Sequence, residues 1–331
     1  MKIPPAIIRH SILCAVSLLA TTLPGRAAEL LTATPPIVVP GTHGKFDFIA
    51  IDPERRRLLA AHTGNSSLDI VDVDKREVVK VLPTGAAQDV VIDLKAGKYH
   101  VSASKPPQLV IIDAEKLEPL GTVPLAGPAD LLALNAKTGH VYAGHDDGKE
   151  VWVIDPAQKK VVATIQLPSD CPEDLGFDAS FSRLFQSLKT AGSVAVIDVA
   201  THKVIENWPT APATAPHGMA MVPEANALIC AGGNGKLVMM SQRDGHVISS
   251  VDIPARVDQI AYDAELHRVY CASSSGKIAV VEVGAEKLSN LGEVTTSEGA
   301  RSIAVDLKTH TVWIAYAKGE SSMVQAFTPA K

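Results

Sequence analysis

Short apolar runs alternate with turn residues along almost the whole chain. The runs are rich in Val, Ile and Leu, and Gly, Asn, Asp or Pro separates each run from the next. This pattern predicts antiparallel β-strands joined by tight turns, because branched residues suit strands and these four residue types suit turns. No segments with the period of an amphipathic helix separate the strands, which argues against a TIM barrel.

The strand pattern repeats as a unit of about 42 residues. Each unit opens with a polar residue before an apolar strand, as in DFIAID and RSIAVD, and further strands follow. The opening positions lie 40–44 residues apart, at Asp47, Asp89, Asp130, Asp174, Gly218, Asp258 and Arg301. Four strands in a repeat of about 40–50 residues are the signature of a β-propeller. The sequence therefore predicts an all-β, seven-bladed β-propeller with four antiparallel strands per blade.

The two ends of the chain complement each other. The seventh unit stops after three strands, and one additional strand, near 31–39, precedes the first unit. If the N-terminal strand takes the fourth place in the last blade, the ring closes without a long exposed edge. We therefore expect a single propeller domain over residues 28–331.

Residues 1–27 have the features of a secretory signal peptide. Basic residues precede an apolar stretch at 12–23, and the small residues Gly25 and Ala27 follow it near the expected cleavage point. The apolar stretch is shorter than the roughly 20 residues that a membrane-spanning helix needs. We expect an exported protein, located in the periplasm, with no membrane span.

Charge and motifs narrow the classes of function. Residues 1–27 carry three basic residues and no acidic ones, so without them the net charge changes from −5 to −8. An acidic chain with 4% aromatic residues argues against nucleic-acid binding. No catalytic-serine elbow, zinc-protease motif, phosphate-binding loop or dinucleotide-binding motif occurs, so no catalytic residue is predicted. We expect a monomer that binds a protein or a small molecule.

Three cysteines follow the signal peptide: Cys171, Cys230 and Cys271. The last two lie in strand-like apolar runs, which favours buried thiols over a disulfide bond. No C-x-x-C pair indicates a metal or redox site.

The segment APHGMAMVPEANALICAGGNGKLVMMSQRDGHVISSVDIP resembles the repeat of the YVTN-repeat, or YncE-like, periplasmic β-propellers. VWVIDPAQKKVVATIQLP and GARSIAVDLKTHTVW are similar to parts of the same repeat, and the resemblance covers about residues 29–331. No Tyr-Val-Thr-Asn tetrad occurs. The resemblance implies an exported propeller from a largely non-enzymatic family. Some members of that family bind DNA, which the net charge of −8 argues against here.

The first strand of each blade lines the channel of a propeller, so the opening residues should surround one mouth of it. The predicted ligand-binding residues are Asp47, Asp89, Asp130, Asp174, His217, Asp258 and Arg301. Arg301 is expected to pair with Asp258 or Asp47. The alternative for the repeated aspartates is structural: they accept backbone N–H groups of a turn or of the neighbouring blade.

Histidines on the same face add a second hypothesis, a metal site. The candidate ligands are His43, His62, His145 and His217. Histidine with carboxylates suits zinc, copper, iron or nickel, and carboxylates alone suit calcium or magnesium, so a divalent metal is the one candidate cofactor.

Two classes of function follow. The first, which we favour, is a non-catalytic binding or scaffold protein that presents the channel mouth to its partner. The alternative is a metal-dependent, lactonase-like hydrolase with the ion at that mouth. The hydrolase would be favoured by three or more residues within coordinating distance from the set Asp47, Asp130, Asp174, His62, His145 and His217.

Overall fold

The computed structural model describes Met1 and residues 30–330. The predicted signal peptide therefore lies outside the described residues, apart from Met1. Within 30–330 the only helices are two single 3₁₀ turns, at Thr63–Asn65 and Pro223–Ala225. None of the helices in this part of the chain is long and apolar enough to cross a membrane.

Twenty-nine strands make up seven sheets. Two short strands come first, β1 (Leu31–Ala33) and β2 (Ile37–Val39). The strands of blades one to three are β3 (Ile49–Asp52), β4 (Arg57–His62), β5 (Ser67–Asp72), β6 (Glu77–Pro83), β7 (Ala87–Asp93), β8 (Lys98–Ser104), β9 (Pro107–Asp113), β10 (Glu118–Pro124), β11 (Ala129–Leu134), β12 (Val141–His145), β13 (Glu150–Asp155) and β14 (Lys160–Gln166). Those of blades four to seven are β15 (Pro172–Phe177), β16 (Arg183–Leu188), β17 (Ser193–Asp198), β18 (Lys203–Pro209), β19 (Pro216–Val222), β20 (Ala227–Gly232), β21 (Lys236–Ser241), β22 (Val247–Asp252), β23 (Val257–Asp263), β24 (Arg268–Ser273), β25 (Lys277–Val283), β26 (Leu288–Thr295), β27 (Ser302–Asp306), β28 (Thr311–Lys318) and β29 (Ser321–Pro329).

Each blade is an antiparallel meander in which consecutive strands pair. The first strands of neighbouring blades contact one another in a closed cycle, from β3 through β7, β11, β15, β19, β23 and β27 back to β3. These seven strands therefore form the inner ring. The predicted seven-bladed, four-stranded propeller is confirmed.

The seventh blade is completed by the N-terminal segment, as predicted. β29 pairs antiparallel with β1, where Leu31 lies opposite Pro329, and with β2, where Val39 lies opposite Ser322. The expected single strand is interrupted between β1 and β2 by Pro35 and Pro36, which carry no backbone N–H for a ladder.

The core consists of seven apolar layers, one between each pair of neighbouring blades. Cys230 lies in the layer between blades four and five, and Cys271 in the layer between blades five and six. Both are completely buried, and neither they nor Cys171 forms a disulfide bond. The prediction of buried thiols at these two positions is confirmed.

Aspartates at the ends of the third strands shape the turns into the fourth strands. Asp72 Oδ1 accepts the backbone N–H groups of Asp74 and Lys75 at 3.0 and 2.8 Å, and Asp113 forms the same turn in the next blade. This geometry makes both of them turn residues.

Candidate functional site at the channel mouth

One residue from each blade faces the channel mouth, and these seven residues form a ring. They are Asp47, Gln88, Asp130, Glu173, His217, Asp258 and Arg301. Each lies at or just before the start of the first strand of its blade. The predicted opening residues of blades two, four and five lie one position later, at Asp89, Asp174 and Gly218.

Backbone hydrogen bonds between blades support this alignment. Phe48 N donates to Gln88 O at 2.9 Å, and Gln259 N donates to Arg301 O at 3.2 Å. The donors, Phe48 and Gln259, each come directly after the ring residue of their own blade. The acceptors, Gln88 and Arg301, are the ring residues of the next blades. Gln88 and Arg301 therefore occupy equivalent positions.

The ring surrounds a cavity of about 210 Å³. Lys45, Asp146 and Lys189 add charged side chains from loops that lead into first strands or join second to third strands. The loops of both kinds thus meet on one face. The cavity lining has five carboxylates, three cationic side chains and His217, with only Phe48 and Leu131 as apolar members.

Asp89 and Asp174 lie between blades instead of in the cavity. Asp174 accepts the N–H of Leu175 at 2.8 Å and that of Met219, in blade five, at 2.8 Å. Asp89 accepts the N–H of Val90 at 2.6 Å and that of Leu132, in blade three, at 2.8 Å. Both therefore have the structural role that is the alternative to ligand binding.

Burial sets the ionisation of these two carboxyl groups. It raises the pKa of Asp89 to about 7 and that of Asp174 to about 8, and the backbone N–H groups offset this only in part. Gln259 bridges blades at the equivalent position with a neutral amide: its Oε1 accepts from Ile49 N at 3.2 Å and from Ile303 N at 2.9 Å. Side-chain bridges at this position therefore join four pairs of blades.

Gly218 occupies the equivalent position in blade five, where the next blade comes close. A Cβ atom there would lie 2.5 Å from the carbonyl oxygen of Asp258, which is too close for any side chain. The glycine at this position therefore reflects blade packing.

Ion pairs connect most of the ring. Arg301 Nε lies 3.0 Å from Asp258 Oδ2, and Arg301 Nη2 lies 3.5 Å from Asp47 Oδ1. His217 Nε2 lies 3.7 Å from Asp258 Oδ1 and 3.4 Å from Glu173 Oε1. Arg301 pairs with both of the expected partners, so it is not free to bind an anion.

The network extends at both ends. Lys189 Nζ lies 3.0 Å from Glu173 Oε1. With its amide turned so that nitrogen faces acceptors, Gln88 donates to Asp47 Oδ2 at 3.3 Å. Six of the seven ring residues thus belong to one hydrogen-bonded and ionic network.

Asp130 is the ring residue outside this network. Its carboxyl group makes no hydrogen bond or ion pair with any residue in 30–330, although it lines the cavity. Burial raises its pKa well above the usual 3.8, and the nearby carboxylates of Asp47, Glu173 and Asp146 raise it further. Burial also raises the pKa of Asp47 and of Glu173, with the neighbouring cations opposing it.

The four candidate metal ligands are dispersed. Only His217 lines the cavity. His145 Nδ1 lies 2.7 Å from Glu150 Oε2, and its ring packs against Trp152. His43 is exposed in a separate groove of about 650 Å³ beside the last hairpin.

His62 is buried in a hydrogen-bonded network between blades one and seven. Its Nδ1 lies 2.6 Å from Asp69 Oδ2 and its Nε2 lies 3.1 Å from Ser322 Oγ. This order of contacts is that of a catalytic triad. All three residues are 0% exposed, so no substrate can reach the Ser322 oxygen. The network joins the two blades.

The described part of the chain offers no metal centre. In 30–330 no three His, Cys, Asp or Glu side chains are placed to hold one ion. The closest set at the mouth, Glu173, His217 and Asp258, is already paired with itself and with two cations. The arrangement can accept hydrogen bonds and compensate positive charge.

Five polar residues that line the cavity were not predicted as site residues: Glu173, Gln88, Asp146, Lys45 and Lys189. A signal for the first two is present in the sequence. In five blades an aspartate near the end of the first strand lies five residues after the ring residue, and these aspartates are Asp52, Asp93, Asp178, Asp263 and Asp306. Counting back from them identifies Gln88 and Glu173 in place of Asp89 and Asp174.

Comparisons with known proteins agree with the architecture. No family model matches the sequence, and neither does any curated protein. The chain is similar in structure to the WD40 repeats of RRP9, with 12% identity, a TM-score of 0.79, and coverage of 92% of this chain and 100% of that one. The fold is that of the WD40-like β-propellers.

Two further structures lead to the same conclusion. A chain of the mitotic checkpoint complex is 13% identical, with a TM-score of 0.77 and coverage of 96% of this chain and 98% of that one. A chain of Kuenenia stuttgartiensis hydrazine synthase is 14% identical, with a TM-score of 0.72 and coverage of 84% and 96%. Identities this low establish the fold alone.

Proposed function

We propose that this protein is an exported, non-catalytic binding propeller that docks a protein partner on the face containing the channel mouth. The observation that carries the proposal is the ring at that mouth, where all seven blades contribute a side chain to one polar cavity. Binding sites commonly lie on loops that a rigid scaffold presents on one face, and one structural neighbour is a chain of the mitotic checkpoint complex.

The size of the cavity favours a protein partner over a small molecule. Its volume of about 210 Å³ is below the roughly 300–1,000 Å³ of typical small-molecule pockets. A side chain that projects from a docked protein fits this space, and the surrounding loops would contact the rest of that protein.

Export to the periplasm belongs to the proposal and is supported by residues 1–27 and by the resemblance to YVTN-repeat proteins. We expect the mature chain to begin at Ala28. Intact-mass spectrometry of the protein recovered from a periplasmic fraction tests this. Recovery of uncleaved chain in the cytoplasm would contradict export.

Docking at the channel mouth is tested by photo-crosslinking in cells. A benzophenone amino acid placed at Lys45, on the rim of the cavity, should give a discrete protein adduct. The matched control is Lys308, an exposed lysine in the turn between β27 and β28 on the opposite face. Absence of adducts from position 45, or equal adducts from both positions, would contradict the proposed docking face.

The alternative, a metal-dependent hydrolase, gains no support from the described residues. It required three convergent ligands, and only His217 of the four predicted histidines lies at the mouth, where it contacts Glu173 and Asp258. His62 and His145 contact Asp69 and Glu150 elsewhere, and His43 is exposed in a separate groove. A second function is therefore not proposed.

A further inference from the structure

We propose that the cavity binds the cationic end of a basic side chain, a lysine ammonium or an arginine guanidinium, with Asp130 as the carboxylate that pairs with it. This inference rests on the proposed function, because the side chain would belong to the docked partner. It adds the chemical class of the group that enters the cavity.

The first argument is the gap in the polar network. Going round the ring, the contacts run from Gln88 through Asp47 and on to Glu173, and Asp130 lies between the two ends. Asp130 is partly buried and reaches the cavity without a partner from the described residues. A carboxylate that has lost part of its hydration and has no partner is unfavourable, and a cation placed beside it offsets that cost.

The second argument is the charge of the cavity. Its five carboxylates outnumber its three cationic side chains. Arg301 and Lys189 are both engaged by ring carboxylates, and Lys45 is exposed at the rim. An anion entering the cavity would meet no free cation at depth, whereas a cation would meet Asp130.

The third argument is ionisation. Without an occupant, Asp130 tends to hold a proton because it is buried near other carboxylates, so a bound cation takes the place of that proton. The groups around it are the carboxylates of Asp47, Asp146, Glu173 and Asp258, together with Lys45, Lys189, His217 and Arg301. Binding should therefore release protons, and affinity should increase with pH until Asp130 is ionised in the free protein.

The experiment uses the mature protein and simple probes of the cationic end. Butylamine and butylguanidine are titrated while backbone amide NMR signals are followed, with butanol and butyrate as neutral and anionic probes. We expect the two cations to shift signals of the cavity residues, more strongly at pH 8 than at pH 5.5, and the other probes to leave them unchanged.

The variant Asp130→Asn should weaken cation binding at least tenfold while it keeps the fold, because this side chain makes no hydrogen bond that the change would break. Asp113→Asn, in a turn on the opposite face, is the matched control and should leave binding unchanged. Thermal unfolding of both variants verifies that they are folded. Equal binding by the two variants, or preferential binding of butyrate, would overturn the inference.

The crosslinking assay separates this inference from the function on which it rests. In a protein that carries the photo-crosslinker at position 45, Asp130→Asn should reduce the adduct strongly and Asp113→Asn should not. Adducts that form equally well with Asp130→Asn would support the docking face but contradict a basic side chain as the group that anchors the partner. If the small cations still bind in that case, the ligand of the cavity would be a free amine and not a side chain of the partner. Absence of the position-45 adduct from the otherwise unmodified protein and from both variants would overturn the proposed function itself.

Discussion

Deletion of residues 30–39 is expected to destabilise the whole propeller and to make it aggregate. The deletion removes β1 and β2, which together form the outer strand of the seventh blade. It also removes the buried side chains of Leu31 and Val39, which are 2% and 1% exposed. Nine residues of β29 then become an unpaired edge, a template for association with other chains.

The expected loss is about 5 kcal/mol or more. Burial of a Val or Leu side chain contributes roughly 1.5–3 kcal/mol, and the ladder hydrogen bonds add to this. A typical domain is stable by only about 5–15 kcal/mol, so the shortened chain should be largely unfolded or aggregated at 37 °C. Urea unfolding followed by circular dichroism, with size-exclusion chromatography, measures both effects.

A circular permutant provides the control. Ala330 N donates to Leu30 O, so the end of β29 already lies beside the start of β1. A chain that begins at Thr42 and carries residues 30–41 after residue 331, through a short turn, should recover most of the lost stability. If the permutant is as unstable as the deletion, or if the deletion is as stable as the complete protein, covering the edge of β29 is not what this segment contributes.

The architecture was predictable from sequence because it depends on features that repeat. Strand-forming residues, turn residues and the period of about 42 residues recur seven times, so an error in one unit is corrected by the others. The closure of the ring followed from counting strands at the two ends. Pro35 and Pro36 divide the closing strand into β1 and β2. This is a local effect, and the pattern of apolar residues alone predicts one continuous strand there.

The site was predictable only in part because it depends on single-residue register. Alternate side chains of a strand point to opposite sides, so a shift of one residue moves a side chain from the channel to the interface between blades. In blades two and four, Gln88 and Asp89, and Glu173 and Asp174, are adjacent polar pairs, and the apolar strand after them fits either choice. Apolar residues follow Asp47 and Asp130, so no such choice arises there. Asp258 and Arg301 are each the first member of a polar pair, before Gln259 and Ser302, and the first member was the one predicted. The structure places all four at the cavity.

The partners of the histidines were not predictable from spacing. His62 and His145 end equivalent strands, yet one is buried against blade seven and the other lies against Trp152 in its own sheet. The difference comes from contacts with residues far away in sequence, such as Ser322, which no local pattern reveals.

Substitution of two aspartates near the starts of neighbouring inner strands should have opposite consequences for stability. Asp174→Ala should destabilise the protein by about 2–5 kcal/mol, because the buried N–H groups of Leu175 and Met219 would each lose their acceptor, at roughly 1–3 kcal/mol apiece. Asp130→Ala breaks no hydrogen bond and relieves repulsion among carboxylates, so it should be neutral or slightly stabilising. Urea unfolding of the mature protein at pH 4.5 measures both, because the raised pKa of Asp174 costs the folded state little at that pH.

The pH dependence gives an independent check on Asp130. Its pKa in the folded protein is above the usual value of 3.8, so the folded state holds a proton that the unfolded state has released. Stability from this group is therefore present at low pH and is lost as pH rises above about 4. The free energy of unfolding of Asp130→Ala, relative to that of the unmodified protein, should increase from pH 4.5 to pH 8. A variant that loses stability over that interval, or an Asp174→Ala protein as stable as Asp130→Ala, would show that the cavity and the blade interface have been assigned to the wrong aspartates.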